Sequence, residues 1–139
     1  MSDTSSCACV GAPTLIFACS GASDVGEIAD HAARQLRDQG VGKMYCLAGI
    51  GGQVSGIVKT TEAAGKILAI DGCPLNCAKG TLEQAGFKDF AHVRLADLGM
   101  VKGCSPVSEA RVTAVVDAGR KALAVQPDRP ERAGGACCG

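Results

Sequence analysis

The chain has 139 residues with 14 Lys+Arg against 14 Asp+Glu and only 2 His. That formal neutrality excludes the basic excess on which counterion-release binding to nucleic acid or docking on anionic lipid depends. The length predicts one domain able to bury about two-thirds of its unfolded surface without covalent staples, yet nine cysteines accompany only one Tyr, three Phe and no Trp.

The opening stretch MSDTSSCACVGAP has no basic n-region and no apolar core of about 7–15 residues, so no secretory leader is expected. No apolar run approaches the ~18 residues of a membrane span either. Residues 1–12 read as a flexible tail carrying Cys7 and Cys9. A continuous apolar run at 15–19 predicts a strand covered on both faces. An amphipathic helix follows, with Asp24 as N-cap and Glu27 completing a capping box. Its apolar stripe is Val25, Ile28, Ala29, Ala32 and Leu36, and Gly40 stops it.

Residues 44–48 predict a second strand containing Cys46, and Gly49-Ile50-Gly51-Gly52 after it reads as a tight turn. It is not a dinucleotide fingerprint, because no acidic residue is placed to read a ribose. A weak helix spans 54–64, where Gly56 and paired threonines lower helix propensity. Residues 67–70 form a third strand, again continuously apolar. Asp71 then reads first as a turn residue and second as an anchor behind a ligand. A helix beginning near Pro74 puts Leu75, Ala78, Leu82 and Ala85 on one face and ends at Gly86. The fourth strand, 91–95, alternates His92 and Arg94 with Val93 and Leu95, as an edge strand does. The last helix begins at Ser105-Pro106 and stops before Pro127, and residues 126–139 form a second flexible tail with Cys137 and Cys138.

Alternating strands and helices of this length predict an α/β class: a single Rossmann- or flavodoxin-like three-layer domain over residues 13–125 with a mainly parallel four-stranded sheet. Right-handed crossovers give the order 2-1-3-4, with the switch point between strands 1 and 3. Ligands in such sheets lie beyond the carboxyl ends of the strands at that point.

Several cysteines fall there. Cys19 closes the first strand, Cys46 sits in the second, Cys73 follows the third, Cys77 lies one turn further on and Cys104 precedes the last helix. Nine cysteines in 139 residues fall short of the about 8–10% of a disulfide scaffold, and the count is odd. A cytoplasmic protein with reduced thiols follows, in which clustered cysteines mean metal or redox chemistry. Helix N-termini would favour thiolate at Cys73 and at Cys104. Lys79 and nearby N–H groups would offset the charge of a thiolate cluster. Four thiolates close a tetrahedral Zn²⁺ site, while Cu(I) or an iron–sulfur cluster suits the same donors. Cys-x₃-Cys is not the zinc-knuckle spacing, so the fold and not one loop must assemble the set. His31, on the helix face with Glu27, Arg34 and Asp38, and His92 read as solvated surface.

At Asp71-Gly72-Cys73, with Cys77 following and Cys19 and Cys46 upstream, the sequence resembles the DGC-domain family of zinc-binding proteins, named after that tripeptide, over roughly residues 13–125. The resemblance implies four chelating cysteines, carried onto Cys19, Cys46, Cys73 and Cys77. Cys104 and the tail pairs lie outside the matched pattern.

The expectation is therefore a cytoplasmic metal-binding protein whose partner is a metal ion, with zinc as cofactor or another thiophilic ion in its place, serving metal homeostasis or resistance. One alternative is a thiol enzyme in redox, sulfur or persulfide transfer or heavy-metal detoxification, with Cys73 as nucleophile and Cys77, Cys104 or a tail cysteine as resolving thiol. A second is an iron–sulfur electron carrier. Neither nucleic acid nor membrane is an expected partner, and the sequence names no protein partner.

Overall fold

The computed structural model describes residues 11–130. The tail cysteines at 7, 9, 137 and 138 lie outside them. Four parallel strands, β1 (Thr14–Ala18), β2 (Lys43–Met44), β3 (Lys66–Asp71) and β4 (Ala91–Arg94), pair in the order β2-β1-β3-β4. The architecture is the α/β sheet that the apolar runs predict.

Alternation along the strands sorts the core into two layers. Ile16, Leu68, Ile70, Ala91 and Val93 face helices α1 (Asp24–Asp38) and α5 (Glu109–Val125). Leu15, Phe17, Ile67 and Ala69 face the other side, where α2 (Leu47–Gly51), α3 (Ser55–Glu62) and α4 (Cys77–Gln84) pack. Each fully buried Leu or Ile contributes roughly 1.5–3 kcal/mol, and both central strands are sealed on both faces. The α1 stripe Val25, Ile28, Ala29, Ala32 and Leu36 is wholly buried, as its period requires. Past α5 the chain is still held, because the Arg129 amide donates to Gly65 O at 2.7 Å and its guanidinium lies 5.6 Å over the Phe87 ring. Among the described residues no helix is long and apolar enough to cross a membrane.

Local starts differ from the sequence reading, each for a visible reason. Ser23, not Asp24, caps α1 by accepting the Gly26 amide at 3.1 Å. Strand β2 is two residues long because, after Tyr45 N donates to Ile16 O at 2.8 Å, Cys46 turns to cap α2. The Gly49–Gly52 stretch is accordingly helix and cap, and not a tight turn. Helix α4 begins at Cys77 and not at Pro74, since Asn76 adopts a left-handed conformation at φ 55°, which no helix can continue through. Helix α5 begins three residues after Pro106, with the Ser108 hydroxyl accepting the Arg111 amide at 3.2 Å.

Candidate functional site

The C-terminal ends of β1 and β3 meet the start of α1 so closely that two glycines are obligatory. A Cβ on Gly72 would stand 2.7 Å from the Val25 carbonyl, and one on Gly26 would stand 2.7 Å from Gly21 O. This interlock fixes Cys19. Its amide donates to Ile70 O at 3.1 Å, and its Sγ accepts the Gly72 amide at 3.3 Å. Burial pushes the Cys19 thiol up from its ordinary pKa because a charged sulfur loses hydration there. The Gly72 and Gly21 amides oppose that rise, and the charges of Asp71 and Cys73 add to it.

Asp71 is the buried centre of the site, only 1% exposed. Its carboxylate accepts the Ala78 amide at 2.7 Å and the Lys79 amide at 3.0 Å, so a residue at the end of β3 caps α4 from a distance. His92 Nε2 lies 2.8 Å from the same carboxylate, with its side chain 18% exposed. Asp71 is thus an anchor rather than a plain turn residue, and His92 is a structural partner rather than edge-strand surface. Register would have found this pair: His92 sits opposite Ala69, which puts it on the sheet face shared by Asp71, two residues on. His31 conforms to the surface reading, 3.3 Å from Glu27 on the exposed side of α1.

The N–H groups expected beside Cys73 and Cys104 are used elsewhere. Cys73 lies four residues before α4 in a turn closed by Asn76 N donating to its carbonyl at 3.2 Å, and the first amides of α4 go to Asp71. Cys104 lies four residues before the N-cap of α5. Cys73 and Cys77 therefore do not share one helical face.

Two cavities open at this edge, with Cys19 in the wall of both. One, about 400 Å³, is lined by Cys19, Cys73, Cys77, Asp71, Leu75 and Lys102. The other, about 530 Å³, includes Cys19, Cys46, Tyr45, Thr81 and the Asp30–Arg34 pair, joined at 2.7 Å. Cys104 lines neither. The cation on the three-cysteine cavity is Lys102, a residue that the sequence reading did not single out, in place of Lys79. Cys19 and Cys73 are half-buried while Cys46, Cys77 and Cys104 are exposed, and all five are free thiols. Cys46 Sγ accepts the Gly49 amide at 3.3 Å. Among the described residues no three Cys, His, Asp or Glu side chains are gathered as one metal ion needs. The donor type thus fits a thiophilic ion, while the donor placement gives two adjoining groups that share Cys19.

Comparison with known proteins follows the same residues. A family model described as DGC domain matches residues 15–118. The anaerobic and virulence modulator AnvM of Pseudomonas aeruginosa is 39% identical over 88 residues, which cover 63% of this chain and 67% of that protein. No solved structure matches.

Proposed function

The chain belongs to the DGC-domain family, and from that premise we propose that it holds a thiophilic metal ion, zinc foremost, through Cys19, Cys46, Cys73 and Cys77. The observation that carries this reading is Cys19 in the wall shared by two cavities, which brings all four thiols to one sheet edge. Cys19 and Cys73 provide the half-buried base of the set. Cys46 and Cys77 are exposed at the starts of α2 and α4 and would have to turn inward to complete it. Asp71 fixes the first turn of α4 and so limits how far Cys77 travels. Held by these four thiolates, zinc would serve as a closed structural centre. The role is metal homeostasis or resistance in the cytoplasm, where cysteines stay reduced and available to a thiophilic ion. The relative's name, an anaerobic and virulence modulator, agrees with a responsive rather than a metabolic role.

One observation favours a second reading. Cys19 and Cys73 line the same cavity, which suits two-thiol redox chemistry. Elemental analysis of protein purified without added metal, with thiols counted before and after chelation, separates the two. About one zinc per chain with four thiols released by chelator is the expected result. Metal-free protein with a single hyper-reactive thiol overturns the metal reading and leaves the redox one.

A further inference from the structure

The connection after β4 is a built turn. A 3₁₀ turn at Leu95–Leu98 leads through Gly99 to a loop that doubles back before Ser105. Asp24, the first residue of α1, holds both flanks of its tip: one carboxylate oxygen accepts the Gly103 amide at 2.9 Å and the other accepts the Ser105 amide at 3.0 Å. Inside the loop, the buried Ser105 hydroxyl accepts the Val101 amide at 2.8 Å, and Cys104 N donates to Val101 O at 2.9 Å. Residues 101–105 are therefore fixed to the start of α1, and Lys102 among them is placed on the wall of the cavity that contains Cys19, Cys73 and Cys77.

Two charged side chains line that wall, the Asp71 carboxylate at its buried base and the Lys102 ammonium on its exposed side. Asp71 is buried, and both its oxygens are engaged by the Ala78 and Lys79 amides and by His92. Asp24 faces the loop backbone with both oxygens. Among the described residues Lys102 forms no ion pair. An exposed ammonium with no ion pair among the described residues thus shares the wall of a cavity of about 400 Å³ with three thiols, a volume large enough for a small molecule.

We propose that this cavity selects by charge, with Lys102 as the selecting residue, and that small anionic disulfides are the molecules it draws to Cys73 and Cys77. A cysteine thiolate attacks one sulfur of the incoming disulfide. That S–S bond breaks as the new one forms, and the other half leaves as a thiolate, so electrons and charge balance. The leaving thiolate is an anion that departs past Lys102. The proposal concerns the same thiols as the metal reading but is tested on metal-free protein, so its failure leaves that reading standing.

The test compares a dianionic aromatic disulfide, 5,5′-dithiobis(2-nitrobenzoate), with the dicationic disulfide cystamine at low ionic strength, following modification of each cysteine by mass spectrometry. The anionic-to-cationic rate ratio at one thiol cancels that thiol's ionised fraction. In the native chain the ratio at Cys73 and Cys77 should exceed that at Cys46. Lys102→Glu should lower it about tenfold at Cys73 and Cys77, lower it less at Cys46 and lose its effect in ~1 M salt. Lys102→Gln should fall between the two. Ser105→Ala keeps every charge but removes the acceptor of the Val101 amide and so frees the turn, and should lower the ratio toward that of Lys102→Gln. A ratio in Lys102→Glu unchanged, or shifted equally at Cys46, overturns the selectivity, and an unchanged ratio in Ser105→Ala overturns the role of the pinned turn.

Discussion

Cys19 leaves β1, a five-residue strand paired on both sides, whereas Cys46 follows β2, a two-residue strand paired on one. Around Cys19 the contacts are backbone on backbone: β3, the loop at 19–23 and the start of α1 touch through Gly72 and Gly26, and Asp24 and Asp71 tie the flanking segments by their carboxylates. Around Cys46 the contacts are side chains and one short helix. A Cβ on Gly49 would meet first the Ile57 side chain, one on Gly51 would stand 3.6 Å from a Thr81 methyl, and α2 has five residues. The same sheet edge therefore has a rigid crevice and a soft corner. A site spanning both has fixed thiols on one side and adjustable ones on the other, which is why the proposed quartet needs Cys46 to move and Cys19 to stay.

The largest expected effect breaks the crevice directly. In Gly72→Ala the new methyl meets the α1 backbone, which cannot yield without shifting the helix, so about 3 kcal/mol of stability should be lost. The matched change at the corner, Gly49→Ala, meets the flexible end of Ile57 and should cost about 1 kcal/mol. Urea unfolding of the two variants checks the ordering. Equal losses would mean that corner and crevice are equally rigid.

Next in size is Asp71→Ala. It leaves the Ala78 and Lys79 amides and His92 without their shared buried acceptor, and should cost about 2 kcal/mol. Hydrogen exchange should localise the loosening to the first turn of α4. Cys77 would then be alkylated faster while Cys46, on the other side of the contrast, keeps its native rate. Faster alkylation at both would show that the anchor serves the fold generally and not the crevice.

The fold was legible because it rests on patterns of burial. Continuous apolar runs marked β1 and β3 as central, and the alternation of His92 and Arg94 marked β4 as an edge. The placement of the cysteines at the carboxyl edge followed from those strands. What the sequence did not disclose was set by single long-range contacts. Asp71 capping a helix that begins six residues later looks like a turn aspartate in the linear chain, and Asn76 in a left-handed conformation carries no periodic signal. Asp24 looks in the linear chain like a cap for its own helix, and its bonds to Gly103 and Ser105, about 80 residues away, have no local trace. Lys102 gains its meaning only through that bond.

The smallest expected effect sharpens the contrast through pH. The Gly103 amide first, and the Ser105 amide second, hold the Asp24 carboxyl below its ordinary pKa, because they favour the charged form. A carboxyl depressed in the folded state contributes stability that is complete above its unfolded value, about 4, and is lost as pH falls through the lower folded value. The urea midpoint of the native chain should therefore exceed that of Asp24→Asn at pH 6 by more than at pH 3, since the asparagine has one acceptor oxygen for amides that the aspartate serves with two. A gap of equal size at both pH values would refute the carboxylate's charge as the source of the pinning. Cys46 alkylation, measured under conditions where each protein stays folded, should not distinguish native chain from variant, because no bond of Asp24 reaches the corner where that thiol lies.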